Sequence, residues 1–337
     1  MSGGACFTPR LAKRPEYPPA ATVLRHTVMS YIRVPALCAL LALGCEGAFH
    51  RAVAAALAAG WTERWFFVAF TFLVHTGCYV GINSFFFACS KYGWLSDYQF
   101  DRKPYQIPSD ALLSKTFWEA FVSQCVTTPV GIYLLFPVFQ YFGMPSLLAP
   151  LPSSFAKLCV AFATAHFVND VGFYWSHRTV HHPSLYKHIH KQHHTYTGSI
   201  GVAAEYASPI ESIVSNALPT IGGMLFFGCH GSGLLYFVWL AARLQQTYEA
   251  HSGYCFYDTS LYKVLGMTNA DACAYHDFHH SGNRGNFGAM WLDWMFGTMD
   301  AWVDLGGTTG YIAECRKNAA RAAGAEKESE REGKKTQ

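Results

Sequence analysis

Eight histidines in the second half of this 337-residue chain fall into three tight clusters: His177-x3-His181, His190-x2-His193-His194 and His276-x2-His279-His280. His251 stands alone between the last two. Positions three and four apart share one helical face, so each cluster can aim two or three imidazoles at a single point. That is how a helix presents metal ligands. One tetrahedral zinc takes four ligands in a structural site and three plus water in a catalytic one, so this set suits two ions with open positions. Imidazole binds zinc, copper, iron and nickel alike. No HExxH motif supplies the base of a zinc hydrolase, and no paired Cys–His arrangement suggests a zinc finger. The ligands alone do not identify the metal, and what remains favours redox iron activating dioxygen beside an apolar substrate.

The neighbourhood of the clusters separates them from a metal-transporter loop, which would be a polar, low-complexity run. Here the histidines sit among Trp175, Tyr186, Ile189, Tyr196, Tyr275 and Phe278. The scattered His26, His50, His75, His166 and His230 read instead as hydrogen-bonded core or surface residues.

Elements that hold such a site must be built from an unusual composition. Hydrophobic residues make up 51% and charged residues 14%, against about 25% charged in a soluble domain, so the chain lacks the ions to coat a globule and belongs in a membrane. A net charge of +3 with no basic stripe excludes nucleic acid as a partner. The 11 cysteines are scattered without a CxxC pair and read as reduced packing residues.

Spans of about 20 apolar residues cross a bilayer. Trp65 to Ser90 and Ala120 to Ala156 carry no Lys, Arg, Asp or Glu; Phe155 to Tyr174 is interrupted by Lys157 and Asp170, and Val34 to Leu57 by Glu46, His50 and Arg51. The stretch from Pro209 to His251 is uncharged from Ser212 through Ala242 and broken by Gly228, Gly231 and Gly233. A hairpin reversing at those glycines returns His251 to the depth of Pro209, which is required if all clusters serve one site. The expected fold is therefore all-α: a polytopic membrane protein of four or more transmembrane helices with a cytosol-facing, histidine-rich catalytic region.

Basic residues agree on sidedness. Arg10 to Arg33, Lys91 to Lys115, and Arg178, Lys187 and Lys191 fall on one side, while the Tyr141 to Ser153 connection is uncharged; the basic side is cytosolic by the positive-inside rule. Residues 1–33 form a basic cytosolic segment without the apolar core of a cleaved signal, residues 34–312 the membrane-embedded domain, and residues 313–337 a solvated tail in which half of the residues from Glu314 on are charged. The tail ends in Lys334-Lys335-Thr336-Gln337, which looks like the dilysine signal of endoplasmic reticulum membrane proteins.

The run His177-Arg178-x2-His181-His182-Pro183-x-Leu185-Tyr186-Lys187-x-Ile189-His190-Lys191-x-His193-His194, followed by His276-Asp277-Phe278-His279-His280, resembles the membrane-bound fatty acid hydroxylase and sterol desaturase superfamily. Within it the similarity is to the C-4 methylsterol oxidases, through Ala204-Glu205-Tyr206-Ala207-Ser208-Pro209-Ile210-Glu211, Glu249-Ala250-His251-Ser252-Gly253-Tyr254 and Trp291-x-Asp293-x2-Phe296-Gly297-Thr298. The chain departs from that pattern at Cys255-Phe256-Tyr257 and at Ser281 to Arg284.

The resemblance implies two iron ions held by His177, His181, His190, His193, His194, His276, His279 and His280, with His251 as a ninth ligand. His182 and His188 are expected to face away. Metal-bound imidazoles donate their second N–H to a carboxylate or carbonyl; Glu205, Glu249 and Asp277 are the expected orienters, with Asp170 and Asp293 as further candidates. The implied activity is oxidation of a C-4 methyl group of a sterol through alcohol and aldehyde to carboxylate, in sterol biosynthesis. Electrons would come from NAD(P)H through cytochrome b5 and its reductase, since the chain has no GxGxxG fingerprint and no haem motif; other sterol demethylation enzymes are possible partners. Competing readings are another lipid hydroxylase or a sterol C-5 desaturase, which would share every ligand, and a non-catalytic metal-binding or transporting membrane protein.

Overall fold

The computed structural model describes residues 20–225, 232–257, 259 and 271–335. The protein is an all-α membrane protein, with no strand among the described residues. Helix α1 (Ala20–Ala58) and α2 (Glu63–Tyr92) are joined by a short turn. Thr62 caps α2 by accepting the Trp65 N–H, and Gly93 ends it in the left-handed conformation at φ 69°. A π-helical turn, Ser123–Thr127, joins α3 (Asp110–Val122) to α4 (Thr128–Tyr141). Residues 23–58, 63–92 and 104–141 are long and apolar enough to cross a membrane.

Two boundaries differ from those expected. The span at Val34 lies inside α1, which starts at Ala20, so the division after residue 33 falls mid-helix. The uncharged stretch Ala120 to Ala156 is not one span: α4 ends at Tyr141, Gly143 turns at φ 90°, and Pro145, Pro150 and Pro152 keep the following run out of helix.

Helix α5 (Phe155–Val180) leads into the first histidine cluster and α6 (Pro183–Ile189) into the second. A single turn, α7 (Pro209–Glu211), runs through a second π-helical turn, Ser212–Ala217, into α8 (Leu218–Gly223). Helix α9 (Leu234–Ala250) returns. Gly228, His230 and Gly231 of the expected reversal lie outside the described residues, but the two arms come back together. Glu211 reaches the second cluster at His190, 2.7 Å, and His251 reaches it at His193, 3.4 Å.

The bundle packs α1 on α5, α5 on α8, and α2 on both α4 and α9. Phe49, Phe66, Phe67, Phe70, Tyr236 and Phe237 interlock between α1, α2 and α9 at centroid separations of 4.7–5.9 Å. Leu40, Leu73, Trp118 and Leu134 point outward from the spans, which suits a lipid-facing surface. A Cβ on Gly223 would lie 2.4 Å from the Ala165 Cα, so the α5–α8 contact requires glycine there.

Beyond the bundle, α10 (Ala272–Gly282), α11 (Met290–Phe296), α12 (Asp300–Leu305) and α13 (Gly307–Lys335) form a cap. Its core joins Phe100 to Tyr275, Phe278, Trp302 and Tyr311. Helix α13 runs unbroken through the expected division at residue 313. Thr336 and Gln337 of the dilysine sequence lie outside the described residues.

Candidate metal centre

Three local geometries aim the histidines. His177 and His181 are four residues apart at the end of α5. Pro183 starts α6 directly after His182, whose ring caps that helix through Ser184. A 3-10 turn at His193–Thr195 then rotates His194 about 120° from its neighbour, so adjacent residues point to different places. In α10, His276 and His280 lie four apart on one face, while His279, adjacent to His280, is turned about 100° from it.

The nine imidazoles therefore form two groups: His177, His181, His190, His194 and His279 in one, and His193, His251, His276 and His280 in the other. Within each group the nearest nitrogens all lie within 4.8 Å of one another. Nε2 atoms approach at 3.1 Å for His177–His190, His181–His279 and His194–His279, and at 3.4, 2.8 and 3.1 Å for His193–His251, His251–His276 and His276–His280. Donors about 2.1 Å from one ion and roughly at right angles to tetrahedrally spaced are about 3.0–3.4 Å apart, so the spacings fit ligands round a common point.

Charge points the same way. Burial, then repulsion from neighbouring imidazoles, holds His190, His194 and His276 well below the usual histidine range, and burial holds His279 down at about 3. Neutral imidazole is the form that binds metal. Neutral rings converging at these distances suit a shared cation.

On five of the nine rings the opposite nitrogen has a partner. Nδ1 of His177 donates to the Phe287 carbonyl at 2.6 Å, that of His279 to Gly285 at 2.6 Å, His280 to Tyr196 at 2.9 Å and His251 to Thr247 at 2.8 Å. His190 Nδ1 meets Glu211 Oε1 at 2.7 Å. On the four rings bonded to carbonyls, these bonds fix the tautomer that leaves the Nε2 lone pair free.

The acids expected to orient the rings have other partners. Glu205 accepts from Tyr248 at 2.6 Å and pairs with His75 at 2.9 Å; Glu249 accepts from Gln245. Asp277, one residue after His276 and so turned about 100° round the helix, accepts from Arg102 Nη1 at 2.7 Å, the Ser199 N–H at 2.8 Å and the Tyr311 hydroxyl at 2.6 Å. It ties α10 to the segment after the second cluster and to α13. Asp293 accepts from the amides of Phe287 and Gly288 at 2.9 and 3.0 Å, and so steadies the carbonyl that holds His177. Asp170 takes the Tyr31 hydroxyl at 2.9 Å. The carboxylate on a clustered imidazole is Glu211, and sequence reasoning passed over it. Its signal was positional: an acid closing Ser208-Pro209-Ile210-Glu211 at the threshold of a long uncharged run.

Outside the groups, His188 is exposed, His166 lies 3.2 Å from Ser30, and His26 pairs with Asp271 at 3.5 Å. His230 lies outside the described residues. A cavity of about 390 Å³ is lined by His177, His193, His251 and His276 and also by Thr71, Ile132, Tyr236 and Leu240 of the bundle. Its size is that of a small-molecule site.

Clustered imidazoles at the end of an apolar helical bundle define a class, the histidine-box membrane oxidoreductases, and comparison with known proteins agrees. The fatty acid hydroxylase family model matches residues 162–298. A Dictyostelium discoideum protein bearing a methylsterol monooxygenase name is 34% identical over 68% of this chain and 82% of its own length. Methylsterol monooxygenase 1 of Gallus gallus is 35% identical over 47% and 52%. A very-long-chain aldehyde decarbonylase of Oryza sativa is 32% identical over 72% and 89%. No solved structure matches the chain. The chain belongs to the fatty acid hydroxylase superfamily, in the branch that carries the methylsterol monooxygenases.

Proposed function

We propose that this protein oxidises a C-4 methyl group of a sterol stepwise to alcohol, aldehyde and carboxylate, with two irons, dioxygen and an external electron supply. The observation that carries the reading is the cavity joining the bundle's apolar residues to His177, His193, His251 and His276, in a chain whose relatives include proteins named methylsterol monooxygenases.

His177, His181, His190, His194 and His279 would hold one iron, and His193, His251, His276 and His280 the other. Bound iron supplies the activation of dioxygen toward an unactivated C–H bond. The first round balances as R–CH3 + O2 + 2e− + 2H+ → R–CH2OH + H2O, so each turnover draws two electrons from outside the chain, through cytochrome b5 and its reductase with NAD(P)H as source. The chain's own part is to hold the Nε2 lone pairs of His177, His251, His279 and His280 inward through the bonds on Nδ1, and to shield the reacting carbon from water between rounds. A fused apolar ring system favours the cavity over water by burial of its surface. Residence in the endoplasmic reticulum membrane, with the termini and the histidines on the cytosolic side, is part of this reading, and the basic-residue asymmetry supports the sidedness.

The test supplies purified, iron-loaded protein with a 4,4-dimethylsterol, oxygen, NADPH and an electron-transfer system. The expected products are 4-hydroxymethyl and then 4-carboxy sterols. Conversion of a fatty acyl or long-chain aldehyde substrate with the sterol untouched would overturn the substrate while leaving the oxidoreductase class intact.

A further inference from the structure

Among the buried polar atoms of cavity-lining residues that lack a hydrogen-bond partner, Glu211 Oε2 and Ser215 Oγ lie four residues apart on one chain segment. Both residues line the cavity, and they are 4% and 2% exposed. Glu211 immediately precedes the π-helical turn Ser212–Ala217 and Ser215 lies within it, four residues further on. A buried polar group without a partner is destabilising, and two so close along the chain at a cavity wall suit a polar ligand group.

The atoms differ in what they offer. Glu211 already spends Oε1 on His190 Nδ1, at 2.7 Å. Oε2 is the carboxyl oxygen left without a protein partner. Ser215 carries a hydroxyl that can donate. An acceptor beside a donor matches an alcohol, which has one proton to give and an oxygen to receive.

We propose that Glu211 Oε2 and Ser215 Oγ form a subsite for the ring hydroxyl of the substrate. The substrate O–H donates to Glu211 and its oxygen accepts from Ser215. This deepens the sterol reading and rests on it: a sterol's hydroxyl is on the carbon bonded to the one bearing the oxidised methyl groups, so anchoring it beside His190 fixes that methyl near the histidines. Glu211 is then a specificity-determining residue that also positions His190.

The experiment measures equilibrium binding to the full-length protein under anaerobic conditions, and kcat/KM in parallel, for a 4,4-dimethylsterol with a 3-hydroxyl, its 3-oxo analogue and its 3-deoxy analogue. Wild type should prefer the hydroxyl to either analogue by about tenfold or more. Ser215→Ala should lower the hydroxy-to-deoxy preference several-fold while leaving affinity for the deoxy compound unchanged. Glu211→Gln can still accept from His190 through Oε1 but turns an amide N–H to the cavity, so the hydroxy-to-oxo preference should fall by about tenfold. A purely structural role for Glu211 would weaken all three compounds alike. An unchanged hydroxy-to-deoxy ratio in Ser215→Ala overturns the subsite, including where Glu211→Gln fails to accumulate. An unchanged hydroxy-to-oxo ratio in folded Glu211→Gln overturns the part given to Glu211. Wild type that neither binds nor oxidises any of the sterols sinks the substrate reading itself, a result distinct from oxidation with unmoved ratios.

Discussion

The five-histidine and four-histidine groups differ in what they face. The larger is closed in by structure: His177 and His181 end α5, Glu211 and the carbonyls of Phe287 and Gly285 hold its rings, and one of its five members lines the cavity. The smaller has three of its four members, His193, His251 and His276, on the cavity wall. Four ligands also leave more of an ion's coordination sphere open than five do. On the proposed function, this asymmetry predicts a division of labour in which the four-histidine group meets the substrate and the five-histidine group anchors the pair.

The largest expected effect comes from removing a ligand that both halves of the larger group share. His279 Nε2 is 3.1 Å from both His181 and His194. His279→Ala should abolish oxidation and reduce iron from about two to about one per chain, with membrane insertion intact because the spans are untouched. Exposed His188→Ala should keep full activity and iron. Equal loss in the two variants, by metal analysis and turnover, would mean that the ligands are misassigned.

The division of labour is sharpened by comparing His251→Ala with His181→Ala. Both should lose most activity, but they should part in a second measurement, the perturbation of the remaining iron by added sterol. His251→Ala removes a cavity-facing ring and should erase the spectroscopic response to sterol; His181→Ala should preserve a response from the intact four-histidine group. The same response in both would leave the two groups functionally equivalent.

What the sequence made legible was local. Clusters spaced by three and four residues disclose a helical face, so the participation of His177, His181, His276 and His280 in shared groups could be read directly. The allocation of His193 and His194 to opposite groups could not, because it depends on a 3-10 turn with no sequence mark. Orientation of the rings was also hidden. Most holding groups are backbone carbonyls, at Phe287, Gly285, Tyr196 and Thr247, and these have no residue identity to read. Glu205, Glu249 and Asp277 were near the clusters in sequence, yet nearness does not give direction. The helix limits failed where a run was judged by charge alone, as at Ala120 to Ala156, where prolines and a positive-φ glycine end the span early.

Asp293 offers an intermediate test, since it acts on the larger group through the backbone. It accepts the amides of Phe287 and Gly288 and the Thr298 hydroxyl, and Phe287 in turn holds His177. Asp293→Asn puts an N–H where acceptors are needed. Iron affinity of the larger group should fall about 10–100-fold, the range for lost outer partners, and the smaller group should keep its metal. Stepwise iron titration reads both, and parallel weakening of the two would place Asp293 outside this role.

The smallest effect is expected at the helix contact that carries Glu211 toward His190. Gly223 ends α8, where a new Cβ would meet the Ala165 Cα at 2.4 Å and its carbonyl oxygen at 3.1 Å. Alanine is favoured over glycine within a helix by about 1 kcal/mol, but overpacking a tight contact costs about 1–3 kcal/mol, so Gly223→Ala should be destabilised by at most about 2 kcal/mol. The displacement of α8 from α5 runs along the same chain segment to Ser215 and Glu211, and pulls Glu211 away from His190 rather than touching His251 or His276. Thermal unfolding should therefore drop by a few degrees, with a several-fold loss of iron affinity confined to the five-histidine group. Gly222→Ala is the internal control, because its Cβ would meet only Val168 Cγ1 at 3.5 Å, an ordinary contact. If the two alanine variants behave alike, close packing of α8 on α5 is not what sets Glu211 in place.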